Sequence, residues 1–320
     1  MDETTTSASP PNTLTSVRFF AGETLVEGLT RVIDAQFGIA LAVTASPHDE
    51  QPASVHETRK AIKRLRAMLR LVRDSISHDV YHTDNAALKL IAAELGAVRD
   101  SWVMAEILDR LLPHDDTTAA AVAELVDRLQ ERYQAESAAV LENHAHMASI
   151  MEQLKNAWDR ASRWTVVAGE QSVPLPHEFA TVAPGLQRVY KRGRRGMRIV
   201  ADSPTDTLLH VWRKRAKYLR HQVEALNVLD PEPLGEMEDR LASLTDLLGD
   251  DHDLAVLLSR FSDDHRLVAG LPLEGVVHAI RENRRQLQSD SIALGQNIFE
   301  EHSSFFLSYI ESVWRDGRNF

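Results

Sequence analysis

The chain has 320 residues, 43% of them hydrophobic and 26% charged, so it can bury a core large enough for one large domain or two ordinary ones. It contains no cysteine, which excludes disulfides and thiolate metal sites and is compatible with a reducing compartment. The net charge is −11, but segments 55–73 and 188–220 hold 18 of the 36 Lys and Arg with only three acids. The rest of the chain has a balance of −26, so the net charge alone does not exclude a polyanionic partner.

The amino terminus, residues 1–13, is acidic, polar and proline-containing, which predicts a disordered tail and no signal peptide. No apolar run reaches 18 residues, so no membrane-spanning helix is predicted. We therefore expect a cytoplasmic protein that does not insert into membranes. The sequence does not predict an oligomeric state.

Helical periodicity follows the tail in two series. Prolines and polar turns divide it into eight predicted helices, at about 17–43, 54–77, 83–112, 117–160, 178–201, 205–229, 233–262 and 273–316. Sustained alternation of period two is missing, which predicts an all-α protein. The expected organisation is a first four-helix unit at 14–162, a linker at 163–177 and a second four-helix unit at 178–320.

A pattern of eleven residues occurs once in each unit. His56–Arg66 and His210–Arg220 both read H-x-x-R-K-x-x-K-x-L-R, 154 residues apart. Leu95–Asp100 likewise resembles Leu248–Asp253, at an offset of 153. These matches in chain order predict an internal duplication, with two antiparallel four-helix bundles related by a pseudo-two-fold axis.

Helical geometry gives each copy of the pattern two faces. At 100° per residue, the cationic residues of the first copy lie within an arc of about 120°. Ile62, Leu65, Met68, Leu69 and Val72 lie opposite them. In the second copy Trp212, Ala216, Leu219 and Val223 form the apolar side, and Arg215 lies near it, so that Arg215 must extend past the apolar residues or form an ion pair. Both helices are predicted to present one core face and one cationic face.

The chain resembles the CHAD domain, a family of conserved-histidine α-helical domains. The resemblance rests on the two His-headed helices, the two Leu-Gly-x-x-[Arg/His]-Asp segments and the basic helix Leu186–Arg198, and it covers most of residues 17–316. It implies two four-helix bundles on either side of a basic cleft that binds inorganic polyphosphate. It also implies no catalytic activity and no cofactor, and in some members targeting to polyphosphate granules. The chain resembles a stand-alone member of this family. The cationic side chains predicted to bind polyphosphate are His56, Arg59, Lys60, Lys63, Arg66, Arg70, Arg188, Lys191, Arg194, Arg195, Arg198, His210, Arg213, Lys214, Lys217 and Arg220.

Two departures from the family pattern predict unequal halves. Tyr218 stands where the family often has a basic residue, and His221 where it often has a tyrosine. The leading helix of the first unit, at 29–43, has only Arg31 where its counterpart has six Lys and Arg. The second unit is therefore expected to contribute more cations.

Several roles remain open at this level. His56 and His210, predicted in the first turn of their helices, either donate to phosphate or order the bundle. Asp100 and Asp253 are expected to orient a Lys or Arg, because a carboxylate would repel phosphate. Nucleic acid, RNA in particular, is the alternative ligand, with Tyr190, Trp212 and Tyr218 as candidates for base stacking. A phosphoanhydride-processing enzyme is a third hypothesis, and no metal site with a recognised spacing is present.

Overall fold

The computed structural model describes residues 16–42, 51–111, 118–141, 143–169 and 173–316, with the backbone alone at 51–53, 97–102, 111 and 140–141. Twelve α-helices occupy this part of the chain, and its only extended pairing is one isolated bridge. The helices are α1 (Leu25–Ala42), α2 (Gln51–Leu71), α3 (His78–Glu94), α4 (Ala97–Leu111), α5 (Ala119–Leu141), α6 (His144–Ala161), α7 (Phe179–Asp202), α8 (Asp206–Leu226), α9 (Pro231–Asp263), α10 (His265–Val268), α11 (Glu274–Ile298) and α12 (Ser303–Asp316). The predicted all-α class is confirmed, whereas the tail predicted at 1–13 lies outside the described residues.

The first helix starts later than the predicted 17. Thr24 and Glu27 form a capping box before Leu25: the Thr24 N–H donates to Glu27 at 2.8 Å, and Glu27 N donates to Thr24 Oγ1 at 3.3 Å. The preceding residues are extended, and Phe19 N donates to Ala225 O at 3.1 Å, on α8. The capping residues fix the helix start because they satisfy N–H groups that lack partners within the helix.

Three predicted helices are each divided in two. Leu95 and Gly96 separate α3 from α4, and Gly96 N bonds back to Ala93 O in a tight turn. Asn143 caps α6 by accepting from His146 N, so it ends the continuity predicted across 117–160. Residues 299–302 separate α11 from α12. By contrast, the predicted helix at 233–262 is continuous as α9.

The two repeated basic helices pack against each other. Ile62, Leu65, Met68, Leu69 and Val72 are all completely buried, which confirms the predicted core face of α2. On α8 the predicted apolar set is buried as well. Gln222 Nε2 donates to Ala67 O at 3.2 Å and ties the helices together inside the core. Truncating one of these leucines to Ala should cost about 2–5 kcal/mol of folding free energy.

The described apolar residues form two hydrophobic cores. The larger core includes residues of α1, α2, α3, α6, α7, α8 and α12. The smaller core joins α4 and α5 to α10, α11 and the C-terminal part of α9. The long helix α9 enters both cores, with Leu241 and Leu248 in the larger and Leu254 and Leu257 in the smaller. The cores therefore do not follow the boundary predicted between 14–162 and 178–320.

The segment predicted as a linker is anchored to the larger core. A 3₁₀ turn at Ser162–Thr165 is followed by an antiparallel bridge between Val166 and Pro174, and Trp164 is buried there. Buried Asp84 accepts from Trp164 Nε1 and from Arg160 Nε, both at 2.7 Å.

In the described part of the chain, none of the helices combines the length and apolarity that crossing a membrane requires.

Candidate anion-binding site

A cavity of about 510 Å³ lies where α2 and α8 meet α4 and α9. Its lining comes from both copies of the repeated pattern and from the two helices that face them. The described lining residues are His56, Lys60, Lys63, Arg64, Glu106, Arg110, Arg213, Lys217, Arg220, His221, Glu224, Glu238, Thr245, Asp246, Gly249, Asp250 and Asp253. The fold thus brings cations from two distant segments of the sequence to one place.

One wall of the cavity is cationic. His56, Lys60 and Lys63 reach it from α2, and Lys217 and Arg220 reach it from α8. Arg213 also lines the cavity, so six of the sixteen residues predicted to bind phosphate meet here. Arg64, absent from the prediction, joins them. Its pKa is lowered, mainly by burial.

The opposite wall is acidic, which the sequence reasoning did not foresee. Asp246, Asp250 and Asp253 recur on one face of α9, and Glu106 faces them from α4. Arg110 Nη2 pairs with Asp250 at 2.6 Å across the two helices, and this hydrogen bond outweighs burial to raise the pKa of Arg110. The i, i+4, i+7 spacing of the three aspartates is the sequence signal that could have indicated this wall.

The carboxylate of Glu224 also lines the cavity and is held by local hydrogen bonds. It accepts from His221 Nδ1 at 3.0 Å and from Val17 N at 3.2 Å. Burial opposes its ionisation, yet these hydrogen bonds keep the pKa of Glu224 below its usual value. Glu238 similarly pairs with Arg18 at 3.0 Å. His221, the departure from the family pattern, therefore has a partner within its own helix.

The repeated glycines lie against the repeated arginines. A Cβ on Gly96 would stand 3.1 Å from Arg59 Nη1, and one on Gly249 would stand 3.3 Å from Arg213 Nη2. Arg59 Nη1 also donates to Ala92 O at 2.8 Å. Each of the two glycines thus leaves room for a guanidinium of its own repeat. Asp253 lines the cavity, and the side chain of Asp100 lies outside the described residues.

His210 packs against a second histidine. Its ring centroid lies 4.5 Å from that of His252 on α9. Burial first, and neighbouring cations second, lower the pKa of each ring to about 4. Both rings are therefore neutral at neutral pH. The expected first-turn position is wrong, because α8 begins four residues before His210 and α2 begins five before His56. Neither histidine adjoins the N–H groups of a helix start.

A second cationic region lies beside the cavity, where α2 and α8 adjoin α3 and α7. We call it the arginine flank. Arg188 pairs with Asp74 at 2.5 Å, and this is the only ion pair that its members form with the described part of the chain. Four of them were predicted to bind phosphate and four were not. The members are Arg66, Arg70, Arg188 and Lys214, together with Arg73, Lys89, Arg192 and Arg215.

Mutual repulsion shows that these cations are neighbours. Burial and the charge of Arg215 are the leading causes that lower the pKa of Arg192, and the same two causes lower that of Lys214. Burial also lowers the pKa of Arg70, with contributions from Arg66 and Arg215. Arg215 is half-buried and reaches past the apolar side of α8 to this cluster. Arg215 was predicted to lie near the apolar side of α8. Its side chain therefore ends in this cationic surface, and it forms no ion pair with the described residues.

Two arginines of the arginine flank lie over the rings of buried tyrosines. The Arg70 guanidinium carbon lies 4.1 Å from the ring centroid of Tyr218, and that of Arg73 lies 4.4 Å from Tyr81. Asn85 Oδ1 accepts from Arg70 Nη2 at 2.7 Å. Tyr218, which stands where the family often has a basic residue, thus orients an arginine instead of adding a charge.

The remaining predicted residues of α7 stand apart from the cavity. Arg194 donates to Phe299 O at 3.0 Å and to Glu300 O at 3.3 Å, which caps the end of α11. Lys191, Arg195 and Arg198 are exposed. The structure therefore does not bring all sixteen predicted residues into one cleft.

Comparison with known proteins places this arrangement in a family. The fold is shared with the crystal structure of the CHAD domain from the plant Ricinus communis, at 20% identity and a TM-score of 0.57, with 93% of this chain and 94% of that chain covered. It is also shared with PptA from Streptomyces chartreusis, at 14% identity and a TM-score of 0.54, with 87% and 98% covered. No curated protein matches the chain significantly. The CHAD domain family model matches residues 32–262, and the chain belongs to the CHAD domain family.

Proposed function

We propose that this protein binds inorganic polyphosphate, without catalysing a reaction on it, through the cationic wall of the cavity. The observation that supports this most directly is the convergence of Lys60 and Lys63 with Arg213, Lys217 and Arg220, from segments 154 residues apart in sequence. Polyphosphate is a flexible chain of anions without bases. A row of Lys and Arg on fixed helices suits it, because guanidinium and ammonium groups donate to phosphate oxygens without base recognition.

The aromatic residues that were candidates for stacking on RNA bases are buried in the structure. Tyr190, Trp212 and Tyr218 are 1%, 0% and 6% exposed. A base stacks on the accessible face of an aromatic ring, and these rings are covered by the core or by a guanidinium. The geometry therefore favours a ligand recognised by phosphate alone.

One observation favours a second candidate function, hydrolysis of phosphoanhydride bonds. The carboxylates of Glu106, Asp246 and Asp253 face the cationic wall, and such groups hold Mg²⁺ in many phosphoryl-transfer enzymes. Among the residues that the structure describes, however, no three metal-ligating side chains lie close enough together to hold a metal ion. Binding therefore ranks first. Phosphate release from polyphosphate with Mg²⁺ or Mn²⁺, abolished in Asp253→Asn, would establish the enzyme instead.

Calorimetric titration tests the proposal. Long-chain polyphosphate and single-stranded RNA are compared at equal phosphate concentration and physiological salt. We expect strong binding of polyphosphate, weak binding of RNA, and affinity that falls steeply as salt rises because counterions are released. Equal affinity for both polymers, or none for polyphosphate, would contradict the proposal.

We further propose that the bound chain attaches the protein to polyphosphate granules. The acidic remainder of the molecule would keep such a granule-coating protein dispersed. A fluorescent fusion should coincide with stained granules in cells that store polyphosphate. A diffuse signal in granule-containing cells would contradict this role while leaving the binding proposal intact.

A further inference from the structure

We propose that the arginine flank is a second phosphate subsite, so that a long polyphosphate chain runs from the cavity across the α2–α8 pair onto the flank. This inference rests on the proposed function and adds a path for the ligand. It also gives a binding role to Arg73, Arg192 and Arg215, none of which was predicted from the sequence.

The cavity and the flank differ in their balance of charge. The described lining of the cavity has seven Lys and Arg against six Asp and Glu, so its field is largely compensated. The flank has eight Lys and Arg and a single ion-paired carboxylate, Asp74. A polyanion on the flank would therefore meet less opposition from carboxylates than one in the cavity.

The cations of the flank repel one another in the folded protein. Burial and like charges lower the pKa of Arg70, Arg192 and Lys214, which means that the folded protein disfavours their charged forms. Arginine nevertheless stays protonated at neutral pH. An anion bound among these groups would relieve their repulsion, and no carboxylate of the described chain does so except at Arg188.

The cations of the cavity and those of the flank follow one another along α2 and α8. Lys63 of the cavity is followed on α2 by Arg66 and Arg70, a row that spans about 10 Å along the helix, and Arg73 stands in the turn directly after α2. Lys217 of the cavity is likewise one turn from Lys214 of the flank. The row passes from one surface to the other without an acidic residue between Lys63 and Arg73.

The aromatic residues of the flank restrict the chemistry of its ligand. The two tyrosines of the flank, Tyr81 and Tyr218, are 5% and 6% exposed and lie under arginines. Their rings hold guanidinium groups in place and offer no face to a base. The donors of this surface suit phosphate oxygens, whereas the bases of RNA would find no exposed ring to stack on.

The test uses the full-length chain, tripolyphosphate and long-chain polyphosphate. The flank variant is Arg192→Gln/Arg215→Gln, and the matched control is Arg163→Gln/Arg285→Gln, which removes two exposed arginines elsewhere. We expect the wild type and the control to bind two tripolyphosphates per chain and the flank variant to bind one. Affinity for long chains should fall about 10- to 100-fold in the flank variant only. The slope of log affinity against log salt concentration should become less steep by roughly 0.7 for each lost cation, which is the value for single-stranded nucleic acids.

Stability separates a lost contact from a damaged fold. Because the variant removes mutual repulsion, its melting temperature should equal or exceed that of the wild type. Arg192→Gln alone, at an exposed position, repeats the test if the double variant is unstable. One tripolyphosphate on the wild type, or unchanged long-chain affinity in the flank variant, overturns this inference alone. Failure of the wild type to bind any polyphosphate removes the proposed function as well.

Discussion

The cavity and the arginine flank share α2 and α8 but differ in their surroundings. Towards α4 and α9, cations meet carboxylates, as in the Arg110–Asp250 pair at 2.6 Å. Towards α3 and α7, Arg192 and Arg215 repel each other among further cations. The same pair of helices therefore has one surface whose positive charge is balanced by carboxylates and one whose positive charge is not. The neighbouring helices decide which charges remain available to a ligand.

The largest expected effect comes from changing both surfaces at once. Lys63 and Lys217 line the cavity and lie one turn from the flank, so Lys63→Glu/Lys217→Glu places two negative charges at their boundary. Affinity for long-chain polyphosphate should fall about 100-fold or more, since two charge-assisted contacts become repulsive. Calorimetry measures this. Lys155→Glu, at an exposed position on α6, is the control and should bind within about twofold of the wild type, as expected for a distant surface change. Intact affinity in the double variant would remove both helices from the site.

The repeated glycines should respond unequally to the same substitution. In Gly96→Ala the new Cβ would lie 2.9 Å from Ala93 O as well as near Arg59, and overpacking of this kind costs about 1–3 kcal/mol. In Gly249→Ala the nearest atom is the end of the Arg213 side chain, at 3.3 Å. The gain in helix propensity then keeps the change in stability within about 1 kcal/mol. Urea denaturation compares the two. Equal losses would show that the two Gly–Arg contacts are equivalent.

Removing an acid from the cavity should make it more like the flank. In Asp250→Asn the pair with Arg110 is lost, and this arginine, 52% exposed, becomes available to phosphate. Tripolyphosphate affinity should rise about 3- to 10-fold, because one repulsive charge disappears and one cation is released. Asp290→Asn, on the surface of α11, is the matched control. Unchanged affinity in Asp250→Asn would show that the acidic wall does not oppose the ligand.

The smallest expected effect is on pH dependence. His210 and His252 titrate near pH 4 in the folded protein and near 6.5 when unfolded, so the unfolded chain binds more protons between these values. Stability should be complete above about pH 6.5 and decline as pH falls towards 4, by a few degrees in melting temperature at pH 5. Polyphosphate should reduce the decline, since an anion favours the imidazolium among Lys214, Lys217 and Arg213. His252→Gln should flatten the profile, and an unchanged profile would show that the pair is uncoupled from folding.

Local rules predicted those parts of the fold in which one helix determines its own behaviour. The core faces of α2 and α8 followed from residue spacing, and all five predicted residues of α2 are buried. Helix ends were predicted less well where a side chain decided them. The capping box at Thr24 and Glu27 was readable from the sequence, whereas the break at Gly96 depends on a turn that packs beside Arg59.

The sequence by itself determined the all-α class, the duplicated pattern and the cationic faces, because helical periodicity and charge are local properties. Only the tertiary structure decided that Asp246, Asp250 and Asp253 face six of the predicted cations, and that Arg215 joins Arg192 instead of the core. The physical reason is that an ion pair or a repulsive cluster depends on the distance between side chains on different helices. That distance is set by how the two cores pack, and no periodicity within one helix records it.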